Sequence, residues 1–289
     1  MKKIAVTGAN GFIASAIRLY NQDRYEFLQI TRSEIDFTRP EKVYPSLSAM
    51  DFDVLLHTAA NAATEFCQQN PELSHAVNVE SAVEAARAAR DKGARFVFIS
   101  TEQVFNGRSD SGPFTEEDEP LCVTNYGIQK LEAEKYIQEE LRDYLILRLS
   151  SMFSLPMPGI RPSANFMVRT WDALKDHKPA AFTPNEQRGM TYVMFLADHL
   201  KEILALPSGI YHVSSVNNRT TYDLCRYVAE QMGYSAEEIS RCILPDHERY
   251  ADRFRDYRLS SAKLRSFGLD PGTVEEDVAR CLKEFGWKG

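Results

Sequence analysis

Short apolar segments alternate with longer segments of helical periodicity through residues 1–150 of this 289-residue chain. The apolar segments lie at 4–6, 27–30, 54–56, 96–99 and 145–147. Polar and apolar residues do not alternate within them, which is typical of strands buried on both faces of a parallel sheet. The hydrophobic pattern therefore predicts an α/β fold, with a doubly wound parallel sheet covered by helices.

Capping residues mark the helix boundaries between these segments. The Thr-x-x-Glu pattern at 38–41 predicts a capping box at the start of a helix, and Pro40 suits the first turn of that helix. Residues 71–92 form one long amphipathic segment, which Gly93 ends as a C-terminal cap. This alternation of strand and helix indicates successive βαβ units.

The pattern changes after Leu149, which predicts a second domain. Residues 154–165 are rich in Pro, Gly and Ser, and helical segments follow at 164–175 and 196–206. A short apolar segment at 209–213 predicts one more strand. We therefore expect a first domain at 1–153, a smaller C-terminal α/β domain at 154–289, and a segment at 188–213 that returns to the first domain.

A glycine-containing turn follows the first strand and opens the first helix. Gly8 permits a tight turn, Gly11 lets the backbone approach a phosphate, and Ala14 is small where the helix packs on the strand. Because the turn opens a βαβ unit, it indicates a Rossmann domain with a dinucleotide pyrophosphate at the helix N-terminus. The residues expected at this pyrophosphate are Gly8, Asn10, Gly11, Phe12 and Ile13.

The residues after the second strand distinguish the two nicotinamide dinucleotides. NAD binding usually places an acid at the end of this strand, where it holds the ribose 2′-OH. Here Thr31, Arg32 and Ser33 follow the strand, and a guanidinium flanked by hydroxyls suits a 2′-phosphate. The sequence therefore favours NADP(H) over NAD(H). A small shift of register would instead bring Glu34 or Asp36 to the ribose, and Asp36 could also contact the adenine edge.

A tyrosine and a lysine stand four residues apart, at Tyr126 and Lys130, which places both on one face of a helix. A nearby ammonium favours the phenolate and lowers a phenol pKa that is ordinarily about 10. Such a phenol can act as an acid or base near neutral pH. Thr101 ends the fourth strand, where side chains face the ligand crevice of an open α/β sheet. We expect Thr101 and Tyr126 to share a carbonyl oxygen of the substrate.

These motifs resemble the extended short-chain dehydrogenase/reductase superfamily, and within it the dTDP-4-dehydrorhamnose reductases. The resemblance covers nearly the whole chain. The matching stretches are 7–14, 57–60, 71–73, 77–79, 99–107, 125–127, 147–148, 165–166, 196–198, 209–212 and, less closely, 253–264.

The resemblance implies an NADPH-dependent reductase of a nucleotide-linked 4-keto-6-deoxy sugar, with a C-terminal domain that binds substrate. The implied catalytic residues are Thr101, Tyr126 and Lys130, with Tyr126 donating a proton to the carbonyl oxygen. The implied substrate contacts are Glu102, Arg188 and Arg253, since the arginines suit a nucleotide diphosphate. The full set expected at the cofactor is Gly8, Asn10, Gly11, Phe12, Ile13, Thr31, Arg32, Ser33, Asp36, Ala59, Ala60, Ser100, Tyr126 and Lys130.

Two departures from the reductases keep other functions open. Ser150–Phe153 stand where those relatives have a tryptophan, and Arg253–Asp256 stand where they have Arg-Pro-x-Asn. Another nucleotide-linked keto sugar is therefore open as the substrate. An epimerase or dehydratase on the same scaffold is an alternative, although Glu102 followed by Gln103 leaves a dehydratase's acidic pair incomplete. A non-catalytic NADP-binding regulatory subunit is the third hypothesis.

Composition limits the partners and the compartment. The formal net charge of −7 argues against nucleic acid or an anionic membrane as the main partner. No apolar run approaches the roughly 20 residues of a membrane-spanning helix. Five widely spaced cysteines lack the spacing of metal ligands and fit reduced thiols. We therefore expect a cytoplasmic protein without a metal, and the helices at 71–92 and 126–140 suggest a homodimer, by resemblance.

Overall fold

The structure of the protein, a computed structural model, describes residues 1–160 and 163–287. The chain divides into two compact units. Unit 1 comprises Met1–Arg108, Glu116–Leu149 and Leu196–Tyr211, and unit 2 comprises Ser109–Thr115, Ser150–Phe195 and His212–Gly289. Residues 161, 162, 288 and 289 of the expected second domain lie outside the described residues.

The segment that returns to unit 1 begins at Leu196, not at 188 as the sequence suggested. The reason is a strand pairing within unit 2, where Met190–Tyr192 lies parallel to Ser151–Phe153. This pairing keeps residues 188–195 in unit 2. The short segment Ser109–Thr115 also belongs to unit 2, because the Phe114 N–H donates to the Arg258 carbonyl (2.8 Å).

Unit 1 is built on a six-stranded sheet with the order β2-β1-β3-β4-β5-β6. Its strands are β1 (Lys2–Thr7), β2 (Tyr25–Ile30), β3 (Val54–His57), β4 (Arg95–Thr101), β5 (Tyr144–Leu149) and β6 (Gly209–Val213). Strands β1 to β5 pair in parallel, and Thr7 pairs with both Ile30 and His57. The predicted Rossmann-type α/β fold is confirmed. The chain changes direction across the sheet between β1 and β3, which is where such sheets bind ligands.

Helices join these strands in the expected βαβ order. They are α1 (Phe12–Leu19), α2 (Pro40–Ser48), α3 (Thr64–Gln69), α4 (Pro71–His75), α5 (Ser81–Lys92), α6 (Asn125–Glu140), α7 (Met194–Asp198) and α8 (Leu200–Ile203). A π-helical segment, Ala76–Glu80, joins α4 to α5, so the helix expected at 71–92 contains one irregular turn. Gly93 ends it with φ +66°. Alanines of α5 are fully buried against the sheet, which lets the helix pack closely.

The capping box expected at 38–41 is wrong. Helix α2 begins at Pro40, and its N-cap residue Arg39 makes no side-chain capping bond. The Thr38 hydroxyl instead donates to Asp36 (2.7 Å), a nearer acceptor. An earlier Thr-x-x-Glu pattern, at 31–34, does form a side-chain hydrogen bond to the backbone. There the Glu34 carboxylate accepts the Thr31 N–H (2.8 Å).

Unit 2 contains three pairs of short strands and five helices among the described residues. Besides the pair named above, Ala180–Phe182 pairs with Ile243–Pro245, and Glu186–Gln187 pairs with Arg255–Asp256. The helices are Phe166–Lys175, Thr221–Gln231, Ala236–Cys242, Ala262–Arg265 and Val274–Glu284. The pairing of Glu186–Gln187 with Arg255–Asp256 brings Arg188 and the arginine-rich segment after residue 248 to the same edge of this unit.

Neither unit contains a helix, within the residues described, that combines the length and the apolarity needed to cross a membrane.

Candidate active site

The turn after β1 lies against the loop after β3 at the point where the sheet changes direction. Gly8 has φ +64°, and a Cβ there would lie 3.0 Å from the Ala59 nitrogen. The Gly11 N–H donates to the Gly8 carbonyl (2.7 Å) and closes the turn. Because only glycine has no Cβ, Gly8 allows this close approach of the two backbones. The structure thus brings the predicted Gly8, Gly11, Ala59 and Ala60 to one crevice.

A buried histidine supports this crevice from below. Thr7 Oγ1 accepts the N–H groups of Thr58 (3.1 Å) and Ala59 (3.2 Å). Its own hydrogen therefore donates to His57 Nδ1, 3.1 Å away. Burial lowers the pKa of His57 to about 3, so the ring is neutral. His57 thus helps to fix the loop that carries Ala59.

The start of α1 fits a dinucleotide pyrophosphate. Gly11 is the N-cap residue and has no side chain to cap the helix, so the first N–H groups of α1 are available to an anion. Asn10 and Gly11 are exposed, and Phe12 and Ile13 are partly exposed. Ala14 is buried where α1 meets the sheet, as a small residue should be.

The phenol of Tyr126 meets the hydroxyl of Thr101. Tyr126 lies in the first turn of α6, Thr101 is the last residue of β4, and both are less than a tenth exposed. Thr101 Oγ1 accepts the Gln103 N–H (3.2 Å), which leaves its hydrogen for the phenol. Burial raises the pKa of Tyr126 above its ordinary value, and the Thr101 hydrogen bond partly opposes this. The phenol is therefore protonated at neutral pH.

Lys130 lies one turn after Tyr126 on α6, and its side chain points into unit 1. Lys130 Nζ donates to the Ile99 carbonyl (2.7 Å) and lies 4.3 Å from the centre of the Phe98 ring. Burial lowers the pKa of Lys130 to about 7, although the charge of Glu134 raises it. The expectation that Lys130 lowers the pKa of Tyr126 is therefore wrong for this geometry, because the ammonium faces the carbonyl and the ring.

Hydrogen bonds from the loop after β4 hold the first turn of α6. Thr124 caps the helix, and Thr124 Oγ1 accepts from the Asn106 amide (2.6 Å). Asn106 Oδ1 accepts the Val123 N–H (2.8 Å). Gly127 packs directly on this loop, since a Cβ there would lie 2.6 Å from the Gln103 carbonyl oxygen. These contacts fix the position of Tyr126 relative to Thr101.

A buried ion pair anchors the same helix one turn further on. Glu134 accepts from Arg148 Nη2 of β5 (2.7 Å), and their side chains are 0% and 3% exposed. Arg148 Nε lies 3.1 Å from each Glu134 oxygen, and the Ser100 hydroxyl also donates to Glu134. The hydroxyl of Ser100 is therefore committed to the interior. The predicted contact between Ser100 and the cofactor stays a prediction, and it would be made by the backbone of Ser100.

An amide network lies beneath the loop after β3. Asn78, in the π-helical segment, accepts the Asn61 N–H (2.7 Å) and donates to the Asn61 carbonyl (3.0 Å) and to Gln129 Oε1 (2.9 Å). Gln129 also donates to Ser74 (2.9 Å). A π-helical turn within an α-helix often marks a functional site. Here it points Asn78 at the chain two residues after Ala59.

The end of β2 carries the residues expected at the ribose. Thr31, Ser33 and Glu34 form a cluster in which both hydroxyls and the Thr31 N–H donate to the Glu34 carboxylate. Arg32 is exposed between the two hydroxyl residues. Asp36 is exposed, and its carboxylate accepts the Thr38 N–H (3.0 Å). This carboxylate therefore stabilises the turn at residues 36–38, which precedes α2.

The substrate residues expected from the resemblance lie in both units. Glu102 is in unit 1, within a 3₁₀ turn, and is 1% exposed, so its substrate contact stays a prediction. In unit 2, Arg188 Nη1 lies 3.8 Å from Glu186, and burial lowers the pKa of Arg188. The Tyr257 hydroxyl is near enough to influence both Arg188 and Arg253 electrostatically. Both predicted arginines of unit 2 thus lie within electrostatic range of Tyr257.

Within the part of the chain that the structure describes, no group of three or more His, Cys, Asp or Glu side chains is arranged to hold a metal ion.

The model of one protein family, described as the RmlD substrate binding domain, matches residues 1–286. The chain belongs to this family. It is 28% identical to a probable low-salt glycan biosynthesis reductase, Agl14, of Haloferax volcanii, over 97% of each chain. It is 29% identical to the dTDP-4-dehydrorhamnose reductase of Escherichia coli, over 86% of this chain and 85% of that one.

The fold is also that of solved structures of similar proteins. A dTDP-4-dehydrorhamnose reductase of Bacillus anthracis, in complex with NADP, superposes with a TM-score of 0.84. Its identity to this member of the RmlD substrate binding domain family is 22%, and the match covers 98% of this chain and 99% of the other. At this identity the likeness establishes the fold alone.

Sequence reasoning missed several residues of the site in this family member. Glu134 was detectable, because Tyr126, Lys130 and Glu134 recur at four-residue spacing along one helix face. Arg148 was detectable as a charge within an apolar strand, which needs a buried partner. Asn61 and Gln129 carry no such signal, since their partners come from distant parts of the chain.

Proposed function

We propose that this protein is an NADPH-dependent reductase of a nucleotide-linked 4-keto-6-deoxy sugar. The observation that carries the proposal is the contact between the protonated Tyr126 phenol and the Thr101 hydroxyl at the carboxyl end of β4, with Lys130 one turn away. The relatives described above support it, since one is a probable glycan biosynthesis reductase and another is a dTDP-4-dehydrorhamnose reductase.

The residues present fit the dinucleotide. The turn from Gly8 to Ile13 and the uncapped start of α1 would hold the pyrophosphate, and Ala59 and Ala60 would lie along the adenosine side. Arg32 would meet a ribose 2′-phosphate, which is our reason to prefer NADP(H) over NAD(H). When bound, NADPH supplies the hydride for the carbonyl carbon.

The chain's own residues would complete the reduction. Tyr126 Oη donates its proton to the carbonyl oxygen, and the product is an alcohol. The Thr101 hydroxyl would donate its one hydrogen to the carbonyl oxygen while substrate is bound, and to the phenolate oxygen after the proton has moved. Lys130 carries a positive charge below neutral pH, and its ammonium would hold the nicotinamide ribose, which is the role that the resemblance implies.

The arginines of unit 2 are proposed to bind the diphosphate of the nucleotide sugar. Arg188 and Arg253 both interact electrostatically with Tyr257, and a guanidinium pairs well with phosphate oxygens. Glu186 is the acid within reach of Arg188, and burial raises the pKa of Glu186, so it opposes an anion less than an exposed carboxylate would.

The test is the oxidation of NADPH in the presence of dTDP-linked 4-keto-6-deoxy sugars, followed by absorbance. We expect Tyr126→Phe to lower kcat by about a hundredfold or more while the Kd of NADPH is unchanged. Tyr136→Phe is the matched control, because Tyr136 lies on the same helix but near Arg90, away from the site.

Two outcomes would contradict the reductase. If the protein binds NADPH but none of the sugars oxidises it, the regulatory subunit is favoured. If the sugar is converted to an epimer without net consumption of NADPH, the epimerase is favoured.

A further inference from the structure

We propose that Glu134 is a positioning residue for the reduction, because its buried carboxylate keeps Lys130 in the ammonium form one helical turn away. The inference rests on the proposed function, in which the Lys130 ammonium holds the nicotinamide ribose. It goes further, since it gives the Glu134–Arg148 ion pair an electrostatic role besides the anchoring of α6.

Lys130 has almost no solvent to stabilise its charge. The residue is 2% exposed, and its Nζ donates to the Ile99 carbonyl (2.7 Å) and lies 4.3 Å from the centre of the Phe98 ring. A single carbonyl and an aromatic face do not replace the hydration that a buried cation loses. An ammonium at this place therefore depends on a nearby anion to stay charged.

The helix and the strand β4 together fix the position of Glu134 beside Lys130. The two residues are four apart on α6, so their side chains leave the same face, with about 5–6 Å between their Cβ atoms. The Lys130 ammonium donates to the Ile99 carbonyl of β4. The next residue of that strand, Ser100, donates its hydroxyl to Glu134. Adjacent strand residues thus hold the ammonium and the carboxylate as neighbours.

Three further titratable groups near Lys130 are neutral at pH 7. Burial raises the pKa of the Tyr126 phenol and of the Cys67 thiol, and it lowers the pKa of His57 to about 3. Burial also lowers the pKa of Lys130, and the charge of Glu134 opposes this more than Cys67 does. Among these groups, Glu134 is therefore the one whose charge favours the ammonium.

Arg148 makes the burial of this carboxylate possible. Its Nε lies 3.1 Å from each Glu134 oxygen, and its Nη2 lies 2.7 Å from one of them. Opposite charges in such geometry compensate each other for the water that both have lost. Unit 1 thus supplies both the anion that acts on Lys130 and the cation that supports that anion.

The competing explanation is that the ion pair only fastens α6 to β5. Any change that disturbs the pairing would then lower stability and activity, whether or not it kept a carboxylate. Two substitutions distinguish the explanations. Glu134→Asp keeps the charge but shortens the side chain by one methylene, and Glu134→Gln keeps the length but removes the charge.

The experiment measures the titration midpoint of Lys130 in the full chain without dinucleotide. Protein labelled with carbon-13 at the lysine ε-carbons is followed by NMR, and the resonance absent from Lys130→Met is that of Lys130. We expect a wild-type midpoint of about 7. The midpoint should be about one pH unit lower in Glu134→Gln and within about 0.3 unit of the wild type in Glu134→Asp. The alkaline limb of kcat/KM should move with the midpoint.

A double variant covers the case in which Glu134→Gln does not fold. Glu134→Leu with Arg148→Met leaves no unpaired buried charge, so it should fold. It should also lower the Lys130 midpoint, though by less, because the loss of Arg148 removes a like charge as well.

Glu140→Gln is the matched control. Glu140 lies on the same helix about 15 Å from Lys130 along the axis, and it is half-exposed and pairs with Arg90 (2.9 Å). The substitution therefore removes the same charge from α6 without touching the buried pair. We expect the midpoint of Lys130 to stay at the wild-type value, since an exposed charge at this distance is screened by salt.

The outcomes separate this inference from the proposed function. The electrostatic role is overturned if Glu134→Gln, or the double variant in its place, titrates at the wild-type midpoint. It is also overturned if Glu134→Asp lowers the midpoint as much as Glu134→Gln does. Either result leaves the reductase standing, because the titration needs neither cofactor nor substrate. If the midpoints shift as expected but no sugar oxidises NADPH, the proposed function fails while the effect of Glu134 on Lys130 holds.

Discussion

The substitution Glu134→Gln would leave the guanidinium of Arg148 buried without its counter-charge. Arg148 is 3% exposed and directs Nε and Nη2 at the Glu134 carboxylate over 2.7–3.1 Å. A glutamine of the same size keeps one acceptor oxygen but turns an amide group towards the cation. Ser100 also loses the acceptor that orients its hydroxyl.

The expected loss of stability is large for a single polar substitution. Removing one partner of a fully buried ion pair typically destabilises a protein by about 3–5 kcal/mol. Replacing both partners by apolar side chains of similar size is often close to neutral. The double variant Glu134→Leu with Arg148→Met should therefore be more stable than the sum of the two single changes by about 2 kcal/mol or more.

Urea unfolding followed by far-ultraviolet circular dichroism measures these differences. Both tryptophans, Trp171 and Trp287, lie in unit 2, so tryptophan fluorescence reports on the other unit and serves as an internal comparison. Glu84→Gln is the matched control, because Glu84 pairs with Arg87 (2.7 Å) on the partly exposed face of α5. We expect its urea midpoint to equal that of the wild type within error.

The reasoning about burial would be refuted by either of two results. A loss of less than about 1 kcal/mol in Glu134→Gln would place the pair in the energy range of exposed ion pairs. Strict additivity in the double variant would mean that the two charges do not depend on each other.

Three further predictions concern the same unit. Gly127→Ala should lower kcat more than tenfold or so with the Kd of NADPH unchanged, because a Cβ 2.6 Å from the Gln103 carbonyl moves the first turn of α6; an unchanged kcat in steady-state kinetics would contradict this. Burial lowers the pKa of His57 from 6.5 to about 3, so below pH 6.5 the unfolded chain binds a proton that the folded chain does not. Between pH 6.5 and 3 the wild type should therefore lose up to about 1.4 kcal/mol of unfolding free energy per pH unit through His57, and His57→Gln should lack this loss. If the unfolding free energy, measured with urea, falls equally with pH in the wild type and the variant, the prediction is refuted. Burial lowers the pKa of Lys130 to about 7, so kcat/KM should fall as the pH rises through neutrality, and a profile flat to about pH 9 would count against a charged Lys130.

Much of the fold could be predicted because buried parallel strands need continuous apolar segments. The five apolar segments correspond to β1–β5, and the turn from Gly8 to Gly11 carries a motif whose backbone requirement is local. Tyr126 and Lys130 were predictable for the same reason, since spacing along a helix fixes which side chains share a face. The boundary at Leu196 was not, because it depends on a pairing between two segments far apart in the chain.

Details of electrostatics and capping were less accessible from the sequence. The four-residue spacing placed Lys130 near Tyr126, but the direction of the pKa change depends on burial and on where the ammonium points. The loop after β2 contains two Thr-x-x-Glu patterns, at 31–34 and 38–41. The second does not form a capping box, because the Thr38 hydroxyl donates to Asp36 instead. In both cases the deciding atom lies outside the motif.

Helix α6 carries Tyr126, Lys130 and Glu134 on one face, so the proposed proton donor and the structural anchor belong to one rigid body. A site built on a mobile loop can lose activity long before its protein unfolds. Here the phenol cannot leave Thr101 by local opening unless the helix also leaves the buried charge of Arg148. Enzymatic activity should then disappear together with the structure of unit 1, so that turnover itself reports whether this unit is folded.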